Sequence, residues 1–302
     1  MKYKIKITLL LLSLFLMTQF IGIYVSKYYL RENVSLPFGL ETPKPETSSE
    51  YYTLLISIIF SFIIALLLFF LLIKFKIEAI FKIWFFLVTA LAITISLNSF
   101  FSPLIKYSLI LSIIFSVILS ILKIYRKNFV VHNITEILIY PGIAAIFVSI
   151  FNIYTITVLL VLISFYDMWA VWHSGIMQKM AKYQINTLRV FSGFFVPYFT
   201  KGVKDKIKKW KLTLKKSELK KKKVKINVAL LGGGDVVFPI ITSGVMLKTF
   251  GVYSAIFVSL GATLGLAYLF LISEKKKFYP AMPFITIGIF IGILVHYLIA
   301  WF

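Results

Sequence analysis

Two aspartates in apolar surroundings are the residues of this sequence whose type and position could do chemistry. Asp235 lies inside the run Leu230-Leu-Gly-Gly-Gly-Asp-Val-Val-Phe-Pro239, and Asp167 follows Tyr166 in an earlier apolar segment. Two carboxylates that meet share one proton, so one can take a proton from water while the other donates to a peptide carbonyl. Aspartic proteases use this chemistry. A proton relay in a transporter is the competing interpretation.

The residues around Asp235 open the backbone beside it. Gly232, Gly233 and Gly234 carry no side chain, so another backbone can approach closely, and each weakens a helix by up to ~1 kcal/mol relative to Ala. Pro239 removes the N–H group that would bond the Asp235 carbonyl in a helix. Small residues with proline are also ordinary packing devices of membrane helices, and this second interpretation stays open.

A second unusual stretch, Tyr279-Pro-Ala-Met-Pro283, precedes the last apolar run. Two prolines so close together do not fit a helix interior, and each pushes the preceding residue towards extended geometry. The stretch therefore predicts a non-helical lead-in to the last helix. A plain helix start with proline in its first turn is the alternative.

The composition indicates a membrane protein. Hydrophobic residues make up 60% of the 302 residues, above the roughly 45–50% of soluble domains. The sequence has no Cys, which excludes a thiol nucleophile and a disulfide framework. We attribute the formal charge of +22 to basic loops at the membrane surface and expect no nucleic-acid partner.

Hydropathy predicts an all-α, polytopic membrane protein with nine transmembrane helices, because about 20 apolar residues cross a hydrocarbon layer of about 30 Å. The predicted spans are residues 8–25, 53–73, 83–101, 104–122, 130–150, 153–173, 226–248, 252–272 and 281–301. The first span is longer than the apolar part of a signal peptide and lacks a cleavage motif, so we interpret it as an anchor.

The basic residues predict the orientation and the division of the chain. Alternate loops are rich in Lys and Arg, and residues 174–225 hold 16 of the 33. By the positive-inside rule the N-terminus is cytoplasmic and the C-terminus extracytoplasmic, in a multi-pass protein of the cell membrane. We expect helices 1–6 in residues 1–173, a basic and partly flexible cytoplasmic loop in 174–225, and helices 7–9 in 226–302.

Depth separates the acids that fall within the predicted spans. Asp167 lies about six residues, or roughly 9 Å, from the cytoplasmic end of span six, and Asp235 about nine residues, or roughly 13 Å, from that of span seven. The two carboxylates can therefore meet if these spans pack side by side. Glu136 is near the start of its own span and is expected at the membrane interface.

Other chemistries have little support. His132, His173 and His296 are scattered without metal-binding spacing, and we expect solvated or interfacial roles for them. Ser174, Ser192 and Ser243 each precede Gly but lack the Gly two residues earlier that rhomboid serine proteases show. We therefore expect no metal and no cofactor.

Three motifs in order resemble the presenilin and signal peptide peptidase family of intramembrane aspartyl proteases, and most of all its archaeal presenilin homologues. They are Tyr166-Asp167 in span six, Gly232-Gly233-Gly234-Asp235 in span seven, and Pro280-Ala281-Met282-Pro283 at span nine. Met282 replaces the Leu of the family's Pro-Ala-Leu motif, which conserves volume.

The resemblance implies an aspartic endopeptidase that cleaves peptide bonds within transmembrane segments, with Asp167 and Asp235 as the catalytic pair. It also implies that residues 280–283 shape the site and engage the substrate backbone. The expected partners are transmembrane substrates and the lipid bilayer, with no obligate protein partner. An ion- or proton-coupled transporter and a prepilin-peptidase-like leader protease remain the alternatives.

Overall fold

The computed structural model of the chain describes residues 5–32, 34–43, 45–75, 78–126, 128–174, 191–198, 227–274 and 279–301. Its helices are α1 (Ile5–Tyr29), α2 (Ser48–Phe75), α3 (Glu78–Phe101), α4 (Ser108–Tyr125), α5 (Phe129–Val148), α6 (Ile153–Trp169), α7 (Gly233–Phe250), α8 (Val252–Ile272) and α9 (Met282–Trp301). A π-helical turn, Ala170–Ser174, follows α6. Two strands, β1 (Gly193–Tyr198) and β2 (Asn227–Gly232), form an antiparallel sheet.

The prediction of a multi-pass membrane protein is confirmed. Among the described residues, eight helices are long and apolar enough to cross a membrane, and they are α1 to α6, α8 and α9. The helix α7 is not one of these eight, because it includes Asp235, Pro239 and Lys248. The count of nine spans and the orientation of the termini therefore stay predictions.

The prediction of an all-α fold is wrong in one part. Residues 226–248 were expected to form one helix, but Asn227–Gly232 pairs with Gly193–Tyr198 and the helix begins only at Gly233. Alternate residues of this segment exchange backbone hydrogen bonds with the neighbouring strand instead of bonding within a helical turn. The fold is mostly helical, with a small sheet placed next to Asp235. Most of the predicted basic loop, residues 175–190 and 199–226, lies outside the described part of the chain.

The helix α5 lies at the centre of the packing around this sheet. It contacts α1, α3, α7 and β1. Its close approach to α3 depends on Gly142, where a Cβ atom would lie 1.9 Å from Ala92 O. Tyr140 of the same helix is almost fully buried. The sheet and the start of α7 therefore rest on a helix that is itself enclosed by protein.

Glycines bring the backbones of α8 and α9 into direct contact. A Cβ atom on Gly261 would lie 2.2 Å from Gly288 O, and one on Gly288 would lie 2.1 Å from Gly261 O. Gly265 and Gly292 make similar approaches to the facing helix. Such contacts are typical of membrane helices, where close packing replaces the hydrophobic effect as the driving force for association.

Candidate active site

Asp235 is the third residue of α7, and the glycine before that helix determines where its side chain lies. Gly232 precedes the helix in an extended conformation, with φ −64° and ψ 148°. A Cβ atom on Gly232 would lie 3.1 Å from Asp235 Oδ2, so the carboxylate folds back over this glycine. The positive end of the helix dipole favours a carboxylate in the first turn. Gly232 thus leaves room for the Asp235 carboxylate at the start of α7.

Asp167 lies in the last turn of α6 and binds the start of α9. Its side chain is buried, and its Oδ2 accepts a hydrogen bond from Met282 N at 3.0 Å. Met282 is the first residue of α9, whose opening N–H groups have no acceptor within the helix. Asp167 therefore supplies an acceptor for α9 from a neighbouring helix.

The proline-containing stretch forms the lead-in to α9. Tyr279, Pro280 and Ala281 are not helical, which confirms the predicted lead-in for these residues. Met282 and Pro283 belong to the first turn of the helix. Residues there have no hydrogen-bond acceptor within the helix, so the missing N–H of proline breaks no bond. The stretch ends with its backbone directed at the Asp167 carboxylate.

The helices that carry the two aspartates are neighbours. The helices α6 and α7 pack against each other, and both contact α9. Asp167, in the last turn of α6, and Asp235, in the first turn of α7, therefore lie on adjoining helices. The packing of the sixth segment against the seventh, on which a meeting of the two carboxylates depends, is present, and the start of α9 binds Asp167 from a third side.

Sequence comparison assigns the chain to a family. Residues 12–301 match the family described as signal-peptide peptidase, presenilin aspartyl protease. The chain belongs to this family. It is an intramembrane aspartyl protease, and thus an aspartic endopeptidase.

Two solved structures of a presenilin family intramembrane aspartate protease share the fold. The first, in space group C222, is 18% identical, with a TM-score of 0.63, and the alignment covers 97% of this chain and 99% of that one. The second, in space group P2, is 20% identical, with a TM-score of 0.61 and 96% of each chain covered. A search of curated proteins by sequence gives no match.

The other predicted motif residues lie around the aspartates in different ways. Tyr166 is turned towards α2, where its ring meets Phe62 edge to face with the centroids 5.8 Å apart. Gly233 lies against Tyr140 and Ser192, since a Cβ atom there would be 2.9 Å from Tyr140 Oη. Gly234 is exposed beside Asp235. Tyr166 therefore contacts α2, and the glycines occupy the start of α7.

Gln19 of α1 reaches the start of α7, and the sequence interpretation did not include this residue. Gln19 is fully buried, and its Nε2 donates a hydrogen bond to Val236 O at 3.1 Å. Val236 follows Asp235 in the first turn of α7. A polar residue in the middle of the first apolar run was the signal that could have identified it.

Glu136 was expected at the membrane interface and His132 there or in solvent. Solvent exposure of His132 is wrong, and the depth of both residues in the membrane stays a prediction. Both are buried, and Glu136 forms an ion pair with Lys123 of α4. The spacing of His132 and Glu136, one helical turn apart, was a usable signal because such residues share a helix face. In the described part of the chain, no cluster of three or more His, Asp or Glu side chains could hold a metal ion.

Proposed function

We propose that Asp167 and Asp235 are the catalytic pair of this intramembrane protease. The observation that carries the proposal is the packing of their helices: Asp235 lies in the first turn of α7, Asp167 lies in the last turn of the adjoining α6, and Asp167 also binds the start of α9. Intramembrane carboxylates are costly unless they serve a function. Two carboxylates on adjoining helices, in a family of aspartyl proteases, fit that role.

The pair acts through a bound water molecule. The ionised carboxylate takes a proton from water as the water oxygen bonds to the peptide carbonyl carbon, and the protonated carboxylate donates to the carbonyl oxygen. The roles then reverse, the C–N bond breaks and the leaving nitrogen takes a proton. Burial strengthens both proton transfers because little solvent competes for the charges.

The sheet and the lead-in to α9 provide backbone for an extended substrate. In the described residues β2 pairs with β1 alone, and it runs directly into Asp235. A substrate segment that is unwound from a transmembrane helix can pair with backbone beside Gly232 or near Pro280. On this proposal Gly232, Gly233 and Gly234, with residues 280–283, receive the substrate, and Tyr166 lines the side that faces α2.

The proposed topology has nine crossings, with α7 as the seventh. Its 18 residues span about 27 Å at a helical rise of about 1.5 Å per residue. The N-terminus is then cytoplasmic, the C-terminus extracytoplasmic, and residues 174–225 form a cytoplasmic loop between 1–173 and 226–302. The partners are single-span substrates that arrive through the bilayer, and neither a nucleic acid nor an obligate protein subunit is required. We propose that no metal or other cofactor is needed.

Cleavage of a single-span test substrate in liposomes tests the catalytic assignment. We expect Asp167→Asn and Asp235→Asn each to abolish cleavage and to weaken binding of a hydroxyl-containing peptide that mimics the tetrahedral intermediate, while the protein stays folded. Retention of cleavage at the wild-type rate by either variant would show that its aspartate is not catalytic.

A further inference from the structure

The outer edge of β1, which faces away from β2, is bound by a side chain of α5. Asn133 Nδ2 donates to Phe195 O at 2.9 Å, and Phe195 N donates to Asn133 Oδ1 at 3.1 Å. The amide thus pairs with both backbone groups of one residue, as a neighbouring strand would. Asn133 is buried, so this pairing is protected from water.

The next outward-facing residue of β1 is bound in the same way by two further side chains. His132 Nε2 lies 2.8 Å from Gly193 O, to which it donates, and Gly193 N donates to Glu136 Oε1 at 3.3 Å. Glu136 also pairs with Lys123 of α4, which compensates its charge. We call Lys123, His132, Asn133 and Glu136 the β1 anchor.

The β1 anchor binds backbone N–H and C=O groups of β1 that make no hydrogen bond to β2. In an antiparallel pair, alternate residues turn both backbone groups to the partner strand and the others turn them outward. Gly193 and Phe195 turn theirs to α5, so Phe194 and Val196 make the bonds to β2. Pro197 also falls at an outward position, where its missing N–H removes no bond between the strands.

The register links this anchor to Asp235. Gly193 lies opposite Gly232, the residue that precedes α7 and leaves room for the Asp235 carboxylate. Gly193 has φ +142°, and a Cβ atom there would lie 2.4 Å from Leu231 O. A residue with a side chain would therefore push β1 away from β2 at this point. A displacement of β1 would therefore be transmitted to the start of α7.

We propose that the β1 anchor is a positioning site for the reaction. By binding the outward residues Gly193 and Phe195, it holds the sheet at one place on α5 and thereby keeps Gly232 and Asp235 in position relative to Asp167. The anchor residues need not touch the substrate. This inference rests on the proposed catalytic role of the two aspartates.

Asn133→Ala is the appropriate variant because Asn133 carries no charge, so its removal leaves no buried ion unpaired. We expect kcat for a single-span substrate to fall by about tenfold to a hundredfold, because the variant leaves both backbone groups of Phe195 without their partner and releases β1 from α5. The control is Asn98→Ala, which removes a half-buried amide from α3 that bonds Tyr29 Oη and not the sheet. We expect the control to stay within about threefold of the wild type.

A cross-strand disulfide separates positioning from a loss of stability alone. The chain has no Cys, so Pro197→Cys with Val228→Cys introduces a single pair. These two residues lie opposite each other at outward-facing positions, where Cα atoms are about 4.5 Å apart and can be bridged. Oxidation forms the disulfide in the double-cysteine protein with Asn133 present and in the same protein with Asn133→Ala. We expect the resulting increase in kcat to be at least fivefold larger in the Asn133→Ala protein, because there the disulfide replaces the lost restraint on β1.

Hydrogen exchange measured on the same proteins, without substrate, keeps the two proposals distinguishable. Asn133→Ala should speed amide exchange in residues 193–198 and 227–232, whereas Asn98→Ala should not. Unchanged exchange in both strands, or a kcat that falls without any differential rescue by the disulfide, would overturn the positioning role. Faster exchange in the strands, together with full cleavage by Asp167→Asn, would instead contradict the catalytic assignment and leave the anchor in place.

Discussion

The hydrogen bond from Met282 N to Asp167 predicts that this aspartate has a structural role which can be separated from catalysis. Asp167→Asn keeps an oxygen that can accept from Met282 N, whereas Asp167→Ala leaves a buried N–H without a partner. Both variants should be inactive as proteases. Only the alanine variant should lose the connection between α6 and α9.

The expected magnitude follows from that single bond. An unsatisfied buried donor costs about 1–3 kcal/mol, and removal of the acceptor at a helix N-terminus costs a further 0.3–1 kcal/mol or so. Asp167→Ala should therefore lower the free energy of unfolding by about 1–4 kcal/mol. Asp167→Asn retains the bond and removes a buried charge that faces Asp235, so its stability should equal or exceed that of the wild type.

The assay is thermal unfolding in a fixed detergent, followed by circular dichroism and by the fraction of protein that stays monodisperse after heating. Ser164→Ala is the matched control, since Ser164 Oγ bonds Thr286 Oγ1 at 2.9 Å across the same pair of helices. Loss of that bond between two membrane helices should lower the free energy of unfolding by only about 0.6 kcal/mol. If the alanine and asparagine variants of Asp167 unfold at the same temperature, the capping role assigned to Asp167 is wrong.

Two further predictions concern packing and charge. Gly288→Ala should destabilise the protein by about 1–3 kcal/mol because the new methyl group would overlap the carbonyl of Gly261. The same thermal assay measures this change, and an unchanged unfolding midpoint would contradict the close contact of α8 and α9. Lys123→Met should lower the free energy of unfolding by about 3–5 kcal/mol because it leaves the buried charge of Glu136 without a partner. Adding Glu136→Gln should recover part of that loss. Additive losses in the double variant would show that the two side chains do not form a buried pair.

The spans and the pair of aspartates were predictable because both depend on one property that is local in sequence. Long apolar runs identify membrane-crossing helices, and an acid inside such a run is costly enough to be informative by itself. The prolines at positions 280 and 283 likewise restrict the backbone whatever surrounds them. In the described part of the chain, eight of the predicted membrane-crossing helices and the non-helical conformation of residues 279–281 are confirmed, and the seventh span and the catalytic roles stay proposals.

The sheet and its anchor could not be predicted in this way. Asn227-Val-Ala-Leu-Leu-Gly232 is a short apolar run, and such a run does not distinguish a strand from a helix by its periodicity. The choice depends on pairing with Gly193–Tyr198, a contact distant in sequence. The ion pair of Lys123 and Glu136 joins different helices, so neither residue alone indicates that it is buried with a partner.

The glycine contact between α8 and α9 also sets where α9 begins relative to Asp167. The two backbones meet in one relative position along the helix axes because four glycines leave room for this contact: Gly261 and Gly265 on α8, and Gly288 and Gly292 on α9. A slip of one helical turn along this seam would carry the start of α9 about 5.4 Å away from Asp167. The four glycines therefore fix the position of α9 along its own axis, and with it the distance between Met282 N and the Asp167 carboxylate.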